Sequence, residues 1–189
     1  MRTGIFGGAF DPVHKGHVNA ALDVIKEFDL DRIIFIPLKI PVHKSQCSAG
    51  AADRIMMLEI ALRNYPFFSI SLDEINRETP SYTVETLERF SINNPADELY
   101  FITGSDSFNT FASWKNPDKI ASLASIIVLR RPGFQTDMNL LRKYGNAIEA
   151  SNSMTDISSS ELRSGVCLNL LDAKVADYIE KKRLYGIGN

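Results

Sequence analysis

Gly7-Gly8-Ala9-Phe10-Asp11-Pro12-Val13-His14-Lys15-Gly16-His17 packs two glycines, an Asp-Pro turn and two imidazoles into one short stretch. Each residue type has a chemical use there. Gly7 and Gly8 lack a Cβ, so the backbone is free to take positive φ and an anion can approach the main-chain N–H groups. Pro12 fixes the turn after Asp11. His14 and His17 are three apart, which puts both rings on one side of a first helical turn. The positive end of that helix points at the same spot. The combination predicts a phosphate held by backbone amides and two histidines. Two other readings stand beside it: a structural histidine pair, or half of a metal site. Zinc takes about four ligands, and Cys47, Cys167 and His43 are not spaced to complete a set.

A second cluster lies near the other end. Ile157-Ser158-Ser159-Ser160-Glu161-Leu162-Arg163 joins hydroxyls, a helix start and an arginine on the first turn. Alone it reads as an N-cap by Ser159 or Ser160 with a solvated Arg163. Beside the N-terminal stretch it reads as a second clamp on the same polyphosphate. Trp114 is the only tryptophan. It suits either a core position or a stacking surface beside the Gly104-Ser105-Asp106 turn. Lys44, Arg130 and Arg131 are either solvated charge or further phosphate contacts. The dinucleotide pattern G-x-G-x-x-G and the Walker A pattern are absent, which argues against a Rossmann dehydrogenase and a P-loop kinase.

The elements that must position these residues follow from periodicity. Apolar runs predict strands over 3–6, 32–37, 67–72, 98–103, 125–129 and 147–150. Helices are predicted over 15–28, 52–64, 84–92, 108–114, 116–123, 138–144 and 173–182, with Ser81 or Thr83 as N-cap of the third. Continuous runs such as Ile33-Ile34-Phe35-Ile36 suit parallel strands buried on both faces. Strands alternating with helices predict an α/β, doubly wound parallel sheet. Ligands bind such sheets off the C-terminal strand ends, at the switch point. The polar motifs all fall after strands, so they should share one edge. The loop 38–50, with its glycine, serines and proline, is the candidate mobile element.

The chain has 189 residues and a formal net charge of −2. That length suits a single domain over 1–189, with a C-terminal helical segment from about 158 packed on the sheet. The charge gives no basic field for nucleic acid. Two cysteines without metal or disulfide spacing point to a reduced, cytoplasmic compartment. No run is apolar enough for a membrane span and no signal peptide precedes the first strand. Assembly into a homo-oligomer is left open.

Gly7-Gly8-Ala9-Phe10-Asp11-Pro12-x-His14-x-Gly16-His17 resembles the (T/H)xGH signature of the nucleotidyltransferase superfamily, and Ile157 to Arg163 resembles its ISSTxxR signature. Pro41-x-His43-Lys44, Pro80-Ser81-Tyr82-Thr83, Gly104-x-Asp106 with Trp114, and Arg131-Pro132-Gly133 narrow the resemblance to the bacterial nicotinate-nucleotide adenylyltransferases. It covers essentially the whole chain. It departs at Ala9, where the family usually has Thr or Ser, and at Ser160, which replaces the usual Thr.

The resemblance implies a Rossmann-like nucleotidyltransferase fold and adenylyl transfer from ATP to nicotinate mononucleotide. It implies ATP contacts from Gly7, Gly8, Ala9, Phe10, His14 and His17, and from Gly104, Asp106, Arg131, Ser159, Ser160 and Arg163. His14, His17 and Arg163 would carry catalysis. Lys44, Tyr82, Thr83 and Trp114 would hold nicotinate mononucleotide. Mg²⁺ would ride on the phosphates, with no ligand from the protein. The rivals are a pantetheine-phosphate adenylyltransferase or cytidylyltransferase of the same superfamily, and a non-catalytic nucleotide-binding protein on the same fold.

Overall fold

The computed structural model describes residues 1–39, 47–77, 82–153, 159–164 and 168–187. Strands and helices alternate along the first two thirds: β1 (Arg2–Gly8), α1 (Lys15–Glu27), β2 (Arg32–Pro37), α2 (Ala51–Leu62), β3 (Phe68–Ile70), α3 (Thr83–Asn93) and β4 (Glu98–Gly104). Then come α4 (Ser105–Phe108), α5 (Pro117–Leu123), β5 (Ser125–Leu129), α6 (Met138–Lys143), β6 (Ala147–Glu149), α7 (Ser159–Arg163) and α8 (Ala173–Lys181). Among the described residues the strands form one six-stranded sheet, ordered β3-β2-β1-β4-β5-β6. Every neighbouring pair is parallel. The order reverses between β1 and β4, so the switch point lies where Gly8 and Gly104 end their strands.

Both faces of the sheet are covered, which is why its strands are continuously apolar. One face buries Phe6, Ile33, Phe35 and Ile102 under α1, α2 and α8, through Val24, Met57, Leu58, Val175 and Ile179. The other buries Ile5, Ile34, Ile36 and Phe101 under α3 and α5, through Val84, Leu87 and Ile120. Adjacent residues of one strand alternate between the two clusters, as the pleat requires.

Three expectations are revised. A helix over 108–114 does not form. α4 stops at Phe108, a 3₁₀ turn covers Phe111–Ser113, and Trp114 follows in extended conformation. The cause is local: Thr110 Oγ1 donates to the Ser107 carbonyl and Ser113 Oγ to the Thr110 carbonyl, so the hydroxyls compete for main-chain partners. The N-cap of α3 is Tyr82, with φ −101° and ψ 134°, and Thr83 is already the first helical residue. Ser81 lies outside the described residues. β3 spans only Phe68–Ile70, because at the sheet edge it pairs with β2 alone.

Candidate active site

The backbone between β1 and α1 makes an irregular loop at the sheet's C-terminal edge. Its left-handed residue is Phe10, with φ 47°, whereas Gly7 and Gly8 stay in β1 without positive φ. The Phe10 ring fills the core against Phe6 and His17, and holding it there dictates the backbone turn. Gly7 matters in another way. Among the described residues a Cβ there would meet nothing within 4 Å. Its register neighbour in β2 is Ile36, so the described residues leave room beside the main chain on the Ile5–Ile36 face.

The Asp11–Pro12 bond is cis, and His14 follows as the extended N-cap of α1. The two imidazoles lie with centroids 3.8 Å apart and their planes tilted by 37°. His17 Nδ1 accepts the His14 main-chain N–H at 3.3 Å. That leaves Nε2 as the protonated nitrogen of the neutral His17 ring. His14 is only 4% exposed, and among the described residues neither of its ring nitrogens has a hydrogen-bond partner. Burial, and then the Arg131 guanidinium, push its pKa down from 6.5 to about 4. A neutral, unsatisfied imidazole facing a cationic cleft is poised for an anion.

The loop is clamped from all sides. Arg54 of α2, 1% exposed, donates to the Ala9 carbonyl at 2.7 Å. The Asp11 carboxylate accepts Ser48 N–H at 2.7 Å, Ala49 N–H at 3.0 Å and the Tyr185 hydroxyl at 2.7 Å. Two residues expected to face phosphate also brace it: Ser159 Oγ donates to the Pro12 carbonyl at 3.1 Å and Arg163 Nη1 to the Asp11 carbonyl at 2.8 Å. The second sequence cluster is thus brought onto the first. Ser160 begins α7 beside Ser159, but its side chain lies outside the described residues, as does Lys44.

The ends of β4, β5 and β6 complete this side. Arg131 Nε lies 3.5 Å from Asp106 Oδ1. A Cβ on Gly104 would collide with Asp106 Oδ1 and lie 2.6 Å from Arg131 Nε, so glycine is required for the pair to sit over the strand end. A cleft opens between His14, His17, Arg130, Arg131, Asn152 and Ser153. Asn152, 2% exposed, shapes its wall by accepting Arg130 N–H at 2.8 Å and donating to the Arg130 carbonyl at 3.3 Å. Asp23 and Glu27 of α1 hold the following backbone by accepting Ser153 and Ser151 N–H at 2.8 Å.

Tyr82 and Trp114 lie elsewhere, packed on the opposite cluster from His17 and Phe10. Trp114 makes ring contacts with Phe101 at 5.9 Å and Phe111 at 5.4 Å, and its Nε1 donates to Thr110 Oγ1 at 3.2 Å. The Lys115 ammonium sits 4.2 Å from the Tyr82 ring centroid. Tyr82, Thr83 and Trp114 therefore border the sheet face onto which Gly7 leaves space, across β1 from the histidines.

Sequence reasoning missed Arg54, Asn152 and Tyr185. A charged residue inside the apolar pattern of the second helix was a usable signal for Arg54. Asn152 and Tyr185 gave none, since their partners are distant in sequence.

The cytidylyltransferase-like family profile matches residues 5–165. The chain belongs to this family. A probable nicotinate-nucleotide adenylyltransferase of Shewanella frigidimarina is 35% identical over 210 residues, covering 98% of this chain and 100% of its own. One of Corynebacterium kroppenstedtii is 37% identical over 191 residues, covering 97% and 90%. Among solved structures, a Plasmodium falciparum nicotinic acid mononucleotide adenylyltransferase complexed with NaAD superposes with a TM-score of 0.80. It is 24% identical, with 99% of this chain and 98% of that one covered, and shows the fold to be the same.

Proposed function

We propose that the protein transfers the adenylyl group of ATP to nicotinate mononucleotide, forming nicotinate adenine dinucleotide and pyrophosphate. The observation that carries this reading is the closely paired His14 and His17 at the helix start, which line one cleft with Arg131. Full-length relatives bearing that activity's name support it.

A phosphate oxygen of the acceptor attacks the α-phosphorus in line, and the bond to pyrophosphate breaks. The attacking phosphate is largely dianionic at neutral pH, its second pKa being about 6, so no side chain need remove a proton. The protein's work is to hold two anions together and to stabilise charge on the transferring group. His17 Nε2–H is a donor fixed by its Nδ1 contact with the loop backbone. His14, neutral in the free protein, gains a partner when phosphate enters. Amides of residues 7–10 and the charges of Arg131 and Arg163 complete the cradle, with Gly104 and Asp106 beside the adenosine. On the other face Trp114 stacks on the pyridine ring. Tyr82 supplies no side-chain cap to α3, so the amides of that helix start can receive the ring carboxylate, which favours acid over amide. Lys44 would reach the acceptor phosphate.

Mg²⁺ enters with ATP as part of the substrate. Among the described residues no three His, Cys, Asp or Glu side chains converge as a metal cage. Among the same residues no helix is long and apolar enough to cross a membrane.

Pyrophosphate release from ATP, with nicotinate mononucleotide, nicotinamide mononucleotide or phosphopantetheine as acceptor, tests the reading. Turnover with the first is expected, and its absence refutes the assignment. His17→Ala should lose at least about 3 kcal/mol of transition-state stabilisation, the scale of one deleted charge-stabilising donor. Near-normal turnover would remove His17 from the mechanism.

A further inference from the structure

The loop of residues 9–14 has no regular secondary structure to hold its shape, so its tethers determine where its amides and His14 point. Its side-chain anchor is the Asp11 carboxylate, 3% exposed. Among the described residues that carboxylate accepts three hydrogen bonds, two of them from neighbouring amides, Ser48 and Ala49. The third comes from Tyr185, 174 residues further along the chain.

Tyr185 lies in a 3₁₀ turn, Leu184–Gly186, whose backbone is unusual. Tyr185 has φ 60° and ψ 16°, and Arg183 just before the turn has φ 51°. Two non-glycine residues in the left-handed region are strained, and such strain persists only where the surroundings over-determine it. Two contacts oppose it here. The tyrosine ring packs against the core cluster that contains Phe10 and Val13. Its hydroxyl is 2.7 Å from Asp11 Oδ1. Burial and the adjacent carboxylate push the phenol pKa far up, so the hydroxyl stays a donor wherever the protein is folded.

We infer that Tyr185 is a positioning residue for adenylyl transfer: by donating its hydroxyl to Asp11 it ties the C-terminal turn to the phosphate loop and holds that loop in the shape the nucleotide requires. This rests on the function proposed above. Tyr185 acts through Asp11 and touches no substrate. Removing the hydroxyl leaves Asp11 paired with both amides, so the loop loses a tether while the carboxylate keeps its other partners.

Tyr185→Phe keeps the ring and deletes the donor. Turnover with ATP and nicotinate mononucleotide should fall about tenfold in kcat, because small misplacements of reacting groups cost rate steeply. KM for the acceptor, bound across β1, should stay within about twofold. Hydrogen–deuterium exchange, which needs no acceptor, should quicken in peptides covering residues 7–17 and stay unchanged in β5 and α5. A merely structural role would instead raise exchange throughout. A kcat within about twofold of wild type, or exchange that is unchanged or rises evenly, overturns the proposal. If the wild-type protein fails to use nicotinate mononucleotide, the functional reading falls, and exchange alone decides whether Tyr185 holds the loop.

Discussion

His14 offers the most direct test of the site's electrostatics. Its imidazole is buried and lies near the Arg131 guanidinium, and these two effects, burial first, depress its pKa from 6.5 to about 4. In the unfolded chain the same ring binds its proton near the ordinary value, so between those limits the unfolded state holds more protons. Stability therefore rises with pH through this window and is lost as pH falls. At about 1.4 kcal/mol per pH unit, the gap between 6.5 and about 4 corresponds to about 3 kcal/mol, fully lost only below the folded value. Carboxylates also titrate there, so the comparison must be with His14→Gln, which lacks the group and shares the rest. Urea unfolding of both proteins from pH 7 to pH 4 should show wild type losing about 3 kcal/mol more than the variant. The His14 ring resonance, followed by NMR, should titrate near pH 4 in the free protein and move upward with MgATP, as phosphates replace the missing partner. Parallel stability curves, or a free-protein titration near the ordinary histidine value, would refute the burial argument.

Two further outcomes follow from side chains around the cleft. Gly104→Ala should displace Asp106 and Arg131 by roughly an ångström, costing on the order of 100-fold in kcat/KM for ATP. Both side chains can swing aside and φ is −79°, so urea unfolding should show a loss of only about 1 kcal/mol, chiefly from alanine at an N-cap; wild-type kinetics would contradict the packing. Arg54→Met leaves the half-buried Ala9 carbonyl without its donor, and unfolding free energy should drop by about 1–2 kcal/mol. An unchanged midpoint would show that the loop does not depend on α2.

The sheet was legible because its signal is local. Ile33 to Ile36 and Tyr100 to Ile102 are apolar at every position, which only a strand buried on both faces requires. Parallel strands place every strand-to-helix turn at one edge, so His14, Asp106 and Arg131 could be grouped before any coordinates. The glycines were a partial guide. Gly7 leaves room beside the main chain, yet the positive φ expected of Gly7 or Gly8 falls on Phe10, whose ring is wanted in the core. The helix expected over 108–114 failed because the Thr110 and Ser113 hydroxyls take carbonyls a helix would use.

The sequence by itself determined the order of the strands along the chain, the sheet edge that gathers the polar motifs and the histidine pair, since each depends on spacing within a few residues. Only the tertiary structure decided what holds the loop between β1 and α1. Arg54 reaches Ala9, Ser159 and Arg163 reach Pro12 and Asp11, and Tyr185 closes on Asp11 from the far end of the chain. These contacts join residues 45 to 174 positions apart, and a buried carbonyl or carboxylate accepts whichever donor the packed core delivers to it. No periodicity encodes that choice, because it is made by the docking of whole helices.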